Sequence, residues 1–330
     1  MIEETRIEEQ PVSWQVDEIE VEATLDRPAG PGPFPAVVFV AGSGPTDRNW
    51  NSPLLPGTNG SGALLARLLA ERGYITLRYD KRASGSHIQE NITRLAGKIS
   101  MEGHRQELAG GVSLLAARPD VDSARIFVFT NSEGCVHALN YQIQEPAHPF
   151  AGLVLSSSFA RAAGELAHTQ IAAQLAAVPG GDAYLASYDT AMDDFIHERP
   201  VQVDETLPDP FKQLISAITL PINQPFAREL WVYDPLTRLP GVAAPILIVI
   251  GKKDIQVDWQ IEGPLFESVA KDHTNLRVVY LENANHVLKY EPLDRAEITP
   301  THAMATYGAD DIPLDPATVE TITAWLTSLS

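Results

Sequence analysis

The chain has 330 residues and a formal net charge of −19, from 24 basic and 43 acidic side chains. Affinity for polyanions depends on lysines and arginines that displace counterions, so this balance argues against nucleic acid and anionic membranes as partners. The sequence shows neither an apolar run of about 18 residues nor a basic, apolar leader, so we expect no membrane span and a cytoplasmic location.

Strand and helix patterns alternate along the first half of the chain. Residues 12–27 alternate between apolar and acidic side chains, which predicts a half-exposed antiparallel strand at the edge of a sheet. Further patterns predict strands near 35–41, 73–79, 125–131 and 151–157, and helices near 61–72, 103–117 and 132–144. Strands joined through helices need crossover connections, so this order predicts an α/β fold with a mostly parallel central sheet and an antiparallel N-terminal edge.

A glycine-rich turn, residues 41–45 (AGSGP), follows the strand near 35–41. Glycines make such a turn loose enough for a backbone N–H group to point at a ligand. The N–H of Ser43 or of Gly44 is therefore a candidate donor to a reacting oxyanion.

Four charged residues cluster where the strand near 73–79 ends: Arg78, Asp80, Lys81 and Arg82. They are candidates either for substrate binding or for an ion network that holds the glycine-rich turn through Asp47 and Arg48. We assign them the structural role, because charges removed from water need partners.

Ser132 lies at the break of a β-branched and aromatic run, in the segment 126–135 (IFVFTNSEGC). A serine on a sharp turn from strand to helix can act as a nucleophile, and small residues must then stand two positions before and after it. Gly134 meets this requirement fully and Thr130 only loosely. The alternative role of Ser132 is an ordinary helix N-cap. Glu133 begins the helix, and its N–H is the other candidate oxyanion donor.

Cys135 is the only cysteine, which excludes an intrachain disulfide and suits a reducing compartment. Its place in the first turn of a helix could lower its pKa. We interpret it instead as a small packing residue.

Between residues 162 and 244 the strand patterns stop. Helical patterns at 164–178, 184–197 and 211–218 alternate with proline-rich breaks. This predicts a helical insertion over 162–244 within a core formed by 1–161 and 245–330. Its acidic residues, among them Asp193, Asp194 and Glu198, are spaced like a solvated helix face, so we expect no metal site there.

Two further strand runs are each followed by a polar loop residue. The run 245–250 precedes Asp254, and the run 276–281 precedes His286. A serine hydroxyl is a poor nucleophile until a histidine takes its proton and a carboxylate orients that histidine. The order along the chain therefore predicts Ser132 as nucleophile, Asp254 as orienting carboxylate and His286 as general base.

Asp254 and His286 each have an alternative residue nearby in the sequence. Asp258 is the rival of Asp254, and His302 is the fallback for His286. We favour Asp254 because residues at the carboxyl ends of strands face a shared crevice. A last helix is predicted after an Asp315 cap.

Five motifs together resemble the α/β-hydrolase superfamily, and within it serine esterases related to dienelactone hydrolase and to the peptidase domain of prolyl oligopeptidase. They are 42–48 (GSGPTDR), 77–82 (LRYDKR), 131–134 (NSEG), 251–257 (GKKDIQV) and 285–286 (NH). The chain departs from these esterases at both functional turns. Ala41 stands where they have histidine, and Thr130, Asn131 and Cys135 stand where they have Gly, His and Gly.

The resemblance implies an α/β-hydrolase fold in which the insertion acts as a cap that covers the nucleophile and shapes the substrate pocket. Candidate pocket side chains in the cap are Phe195, Phe211, Leu214 and Trp231, although packing inside the cap is the more common role of such residues.

The predicted function is hydrolysis of a small-molecule carboxylic ester through an acyl-enzyme, with a Ser-His-Asp triad and without cofactor or metal. Thioesterase, lactonase, amidase and acyltransferase reactions use the same triad and stay open, as does a non-catalytic small-molecule binding protein of the same fold. The sequence leaves the acyl chain, the alcohol and the oligomeric state open.

Overall fold

The computed structural model describes residues 6–176 and 178–329. Its strands are β1 (Ile7–Val16), β2 (Ile19–Pro28), β3 (Phe34–Val40), β4 (Ile75–Tyr79), β5 (Val121–Asn131), β6 (Gly152–Ser156), β7 (Ile246–Gly251) and β8 (Leu276–Leu281). They form one sheet in the order β1-β2-β4-β3-β5-β6-β7-β8. Strands β3 to β8 pair in parallel. At the N-terminal edge, β2 pairs antiparallel with both β4 and β1. The predicted α/β fold with an antiparallel N-terminal edge is confirmed.

The N-terminal edge differs from the prediction in one respect. The alternation over 12–27 predicted one strand, but the chain turns back at Asp17 and Glu18 to form a hairpin of β1 and β2. Asp17 has a φ of 52°, a left-handed conformation that aspartate tolerates better than most residues. The single-strand prediction was wrong because the apolar and polar alternation continues across a turn that lacks glycine.

Helices cover both faces of the sheet. They are α1 (Ser61–Glu71), α2 (Ile88–Leu95), α3 (Met101–Ala116), α4 (Gly134–Gln142), α5 (Ala163–Leu175), α6 (Gly181–Ile196), α7 (Asp209–Ile218), α8 (Phe226–Val232), α9 (Pro235–Arg238), α10 (Trp259–Ala270), α11 (Pro300–Tyr307) and α12 (Pro316–Ser328). Leucines of α1 and the apolar face of α12 pack on one side of the sheet. Helices α3, α4 and α10 pack on the other. As predicted, Asp315 caps α12 by accepting from Thr318 N at 3.0 Å.

The insertion has a hydrophobic cluster of its own, drawn from α5, α6 and α7, which includes the buried Phe195. Phe211 and Trp231 pack against this cluster, and Leu214 is 37% exposed. Arg161, just before the insertion, donates to Thr169 Oγ1 of α5 at 2.8 Å and pairs with the buried Glu262 of α10 at 2.6 Å, so it links the insertion to the core. Its boundaries at residues 162 and 244 stay predictions.

The strand order brings the carboxyl ends of β3, β5, β6, β7 and β8 to one edge of the sheet. Ligands in open α/β sheets bind outside these ends. The loops that carry Ser43, Ser132, Asp254 and His286 all begin there. Within the described ranges, none of the helices is long and apolar enough to span a bilayer.

Candidate active site

Ser132 lies on a strained turn between β5 and α4. Its φ of 52° is left-handed, and its N–H donates to Ser156 O at 2.9 Å. A Cβ on Gly134 would lie 2.4 Å from Val40 O, so this position accepts only glycine. A Cβ on Gly42 would lie 3.4 Å from the Ser132 Cβ, so the glycine-rich turn approaches the serine closely. This local geometry is that of a nucleophile elbow.

Thr130, two residues before Ser132, is accommodated through its hydroxyl. The buried Oγ1 donates to Val154 O at 3.1 Å and lies 3.0 Å from Cys135 Sγ. The larger side chain therefore satisfies its polar atom by hydrogen bonding to β6 and α4 instead of colliding with them.

Cys135 is buried, and burial raises the pKa of its thiol to about 11. We therefore expect iodoacetamide at pH 8 to alkylate the native protein at least about 100-fold more slowly than the urea-unfolded chain, since the thiolate is the reactive form. Mass spectrometry of the two samples measures this ratio. Equal rates would assign Cys135 a reactive role instead of a packing role.

Asp254 and His286 form a buried pair. Asp254 Oδ2 lies 2.8 Å from His286 Nδ1. The other oxygen, Oδ1, accepts the N–H groups of Gln256 at 2.7 Å and Val257 at 3.0 Å. Asp254 is fully buried and His286 is 6% exposed. With both carboxylate oxygens occupied, the imidazole is held with Nδ1 as donor and Nε2 as proton acceptor.

The two rival residues are engaged elsewhere. Asp258 caps α10 by accepting from Gln260 N at 3.0 Å. His302 lies on α11, where its Nε2 is 2.9 Å from Glu291 Oε2. The structure therefore brings Asp254, and not Asp258, to His286.

The loop that carries His286 is tied to the serine turn. Asn131 Nδ2 donates to His286 O at 2.9 Å, and Ser157 Oγ donates to the same oxygen at 2.7 Å. Asn131 stands where related esterases have histidine, and this contact gives it a place in the site that the sequence did not predict. The signal available was only its position beside Ser132.

Ser132 and His286 line one cavity of about 470 Å³, although the Ser132 hydroxyl has no hydrogen-bond partner among the described residues. Catalytic hydrogen bonds often tighten only in the complex with substrate, so a missing bond in the free protein does not argue against proton transfer from Ser132. Asp254 stands behind His286 and does not line the cavity.

The candidate oxyanion donors differ in position. Ser43 lines the cavity, and its carbonyl accepts from Thr46 Oγ1 at 2.7 Å. Gly44 lies outside the lining, which favours Ser43 of the two. In the parts of the chain that are described, the N–H groups of Ser43 and Glu133 have no protein acceptor. Both are therefore available to a reacting oxygen.

The structure contains the predicted ion network in part, as one pair made by Lys81 and another made by Arg48. Lys81 Nζ lies 3.1 Å from Glu133 Oε1 and donates to Gly42 O, which joins the glycine-rich turn to the serine turn. Arg48 pairs with Asp80 at 2.6 Å. Asp47 does not join this network, because its Oδ1 accepts the N–H groups of Asn49 and Asn51. The expectation for Asp47 was wrong, since a short side chain at a turn bonds its own backbone first.

Part of the cavity wall comes from motifs that the sequence singled out: the glycine-rich turn, the serine turn and the residues after β7 and β8. The other part, the loop over 50–57 and α11, comes from segments that the sequence did not single out. None of the described residues of 162–244 lines the cavity, so the candidate pocket role of Phe195, Phe211, Leu214 and Trp231 is not found. Phe195, Phe211 and Trp231 instead pack inside the insertion, which is the role held to be more common for such residues. The insertion instead packs beside α4, where Leu166 and Leu230 contact the cluster of Val136 and Phe159.

Helix α11 was also missed, although a start signal for it exists. Thr299 accepts from His302 N at 3.2 Å as an N-cap, and Pro300 occupies the first turn. A Thr-Pro pair is a recognisable helix start. The helix has only eight residues, and so short a pattern shows little periodicity.

Comparisons with known proteins agree with this architecture. Residues 37–297 match the model of the alpha/beta hydrolase family. Esterase EstD of Thermotoga maritima is 25% identical over 267 residues, which are 79% of this chain and 56% of EstD. The chain thus spans just over half the length of that curated relative.

Solved structures share the fold at low sequence identity. The dienelactone hydrolase of Anabaena variabilis is 16% identical with a TM-score of 0.52, over 98% of both chains. The 2,6-dihydroxy-pseudo-oxynicotine hydrolase is 16% identical with a TM-score of 0.54, over 97% of this chain and 67% of that one. Taken with the matched family model, the serine turn and the strand order, these findings mean that the chain belongs to the alpha/beta hydrolase family.

Proposed function

We propose that this protein is a serine hydrolase that cleaves a carboxylic ester through an acyl-enzyme intermediate. The observation that carries the proposal is the buried pair of Asp254 and His286, 2.8 Å apart, in which His286 lines the same cavity as Ser132. A serine on a left-handed turn that shares a cavity with an oriented histidine has the parts that nucleophilic catalysis needs.

In the first half of the reaction, Ser132 Oγ attacks the ester carbonyl while His286 Nε2 takes the hydroxyl proton. Asp254 holds the Nδ1–H and stabilises the imidazolium that forms. When the tetrahedral intermediate collapses, the bond from carbon to the alcohol oxygen breaks, and the alcohol leaves with the proton from His286.

In the second half, water attacks the acyl-enzyme and gives its proton to His286. The acid leaves and the proton returns to Ser132, so the enzyme is regenerated with water as the only co-reactant. The N–H groups of Ser43 and Glu133 are the proposed donors to the oxyanion in both halves. Loss of one such donor typically costs about 2.7–4 kcal/mol of barrier.

The ester class is supported by the name of the curated relative, EstD, which is called an esterase. Its identity of 25% and its partial coverage leave the substrate of this chain to experiment. Thioesters and lactones belong in the same assay panel, because the triad alone does not separate them from open-chain esters.

A fluorophosphonate probe tests the proposal directly. We expect the native protein to be labelled at Ser132, as located by peptide mass spectrometry, and Ser132→Ala to take up no label. Ser61→Ala is the matched control, because Ser61 is also a buried serine at the start of a helix, with no hydrogen-bond partner for its hydroxyl in the described ranges. Well-folded native protein that takes up no label would overturn the enzyme assignment and support a binding protein of the same fold.

A further inference from the structure

One side of the cavity is a continuous apolar surface. Five of its side chains pack in one cluster and also line the cavity: Leu55, Ile255, Val287, Ala303 and Tyr307. We call this surface the apolar wall. Its Tyr307 ring stacks on the His286 imidazole, with 6.1 Å between ring centroids, so the wall begins at the proposed base.

The wall is built from two segments that are fixed to each other. The backbones of Gly57 and Gly308 form a bridge, and a Cβ on Gly57 would lie 2.0 Å from Gly308 O. Asn59 N also donates to Gly308 O at 3.1 Å. The loop over 50–57 and the end of α11 therefore hold one shape, and a group bound between them meets a preformed surface.

Charged groups are missing from this surface. None of the lining residues that the structure describes is Asp, Glu, Lys or Arg. A charge that enters an apolar site without a partner loses its hydration without compensation. The Asp254 carboxylate behind His286 and the net charge of −19 oppose a carboxylate most strongly.

The mouth of the cavity is apolar as well. Leu54 is 73% exposed and Met304 is 48% exposed, and both belong to the lining. Exposed apolar side chains at a cavity rim are suited to an apolar ligand group that extends outward.

We propose that the site selects uncharged esters with an apolar acyl or alcohol group. The loop over 50–57 and α11, and not the insertion over 162–244, form the surface that selects this group. This inference rests on the proposed ester hydrolysis. The inference adds to that proposal the class of substrate and the segments of the chain that select the substrate.

The test compares esters of equal chain length and different charge. The acyl series is p-nitrophenyl hexanoate, mono-p-nitrophenyl adipate and p-nitrophenyl 6-aminohexanoate, and the alcohol series is hexyl acetate with 6-acetoxyhexanoate. We expect the neutral ester to exceed its charged analogues in kcat/KM by about tenfold or more in at least one series. In that series, kcat/KM should also rise about threefold to fourfold per added methylene until the cavity is filled.

Met304→Lys places a cation on the lining at a partly exposed position. We expect it to raise the ratio of anionic to neutral ester turnover by about tenfold, whereas Met304→Gln leaves the ratio unchanged. Leu214→Lys is the matched control, since Leu214 is an exposed apolar residue of the insertion that does not line the cavity. Equal turnover of neutral and charged esters in both series, or a response to Leu214→Lys equal to that of Met304→Lys, overturns the inference. Fluorophosphonate labelling at Ser132 remains the separate readout for the hydrolase proposal.

Discussion

Asp254→Asn is expected to lower kcat by about 10⁴-fold while leaving the fold intact. Asp254 Oδ1 accepts two backbone N–H groups, from Gln256 and Val257. An asparagine would keep its carbonyl oxygen there and turn its NH₂ group toward His286 Nδ1. The imidazole would then accept at Nδ1 and carry its proton on Nε2, where it could no longer take the Ser132 proton.

Asp258→Asn is the matched control for this substitution. Asp258 lies in the same loop and caps α10, and asparagine caps a helix about as well as aspartate. Asp258 also pairs with Arg295 at 3.3 Å, but both side chains are partly exposed, so losing this pair costs little. We therefore expect kcat for a p-nitrophenyl ester to match that of the wild type and the thermal unfolding midpoint to change little. Asp254→Asn should also slow fluorophosphonate labelling, because the same proton transfer activates Ser132 toward the probe. A fall in kcat of less than about tenfold for Asp254→Asn would remove Asp254 from the triad.

The central strands of the sheet could be predicted because most of their side chains are buried on both faces. Strand β5 contains the apolar run 126–129 (IFVF) and β7 the apolar run 246–250 (ILIVI), and the loops after them carry Ser132 and Asp254. The fold class needed little more than that order. The hairpin at Asp17 could not be separated from one long strand, since alternation has the same period on both sides of the turn.

The cavity walls could not be predicted, because they depend on tertiary contacts that leave no periodic signal. The loop over 50–57 has no regular pattern, and it becomes a wall only where Gly57 meets Gly308, far away in sequence. The insertion is the opposite case. Its helices α5, α6 and α7 were predicted from their patterns, whereas the short α8 and α9 were not. Its apolar residues bury one another, and the pattern of one segment does not tell which neighbouring segment it packs against.

Lys81→Met is expected to lower kcat by about 10²–10³-fold, as for the loss of an oxyanion donor, and to reduce the free energy of unfolding by about 3–5 kcal/mol. Lys81 Nζ donates to Gly42 O, and in a planar trans peptide the following N–H, that of Ser43, points the opposite way. Lys81 thereby fixes the direction of the Ser43 N–H. It also holds Glu133, whose N–H is the other proposed donor. Lys81 is on these grounds a positioning residue.

Glu133 accounts for the loss of stability. Burial raises the pKa of its carboxyl, but the Lys81 ammonium and a hydrogen bond with His137 outweigh burial and hold that pKa below its ordinary value. A lowered carboxyl pKa stabilises the fold above the unfolded pKa of about 4.3, and this contribution is lost as the pH falls. The difference in unfolding free energy between wild type and Lys81→Met should therefore be largest near neutral pH and shrink under acid conditions.

The double variant Lys81→Met/Glu133→Gln separates positioning from charge balance. Because it removes both buried charges, we expect it to recover much of the stability that Lys81→Met loses. Its kcat should stay low, since Gly42 O still lacks the donor that orients the Ser43 N–H. KM should change little, because neither substituted side chain lines the cavity. Urea unfolding and steady-state kinetics measure the two effects on the same protein. If the double variant regained both stability and kcat, Lys81 would act only by neutralising Glu133, and the orientation of the Ser43 N–H would have to be set by the turn itself.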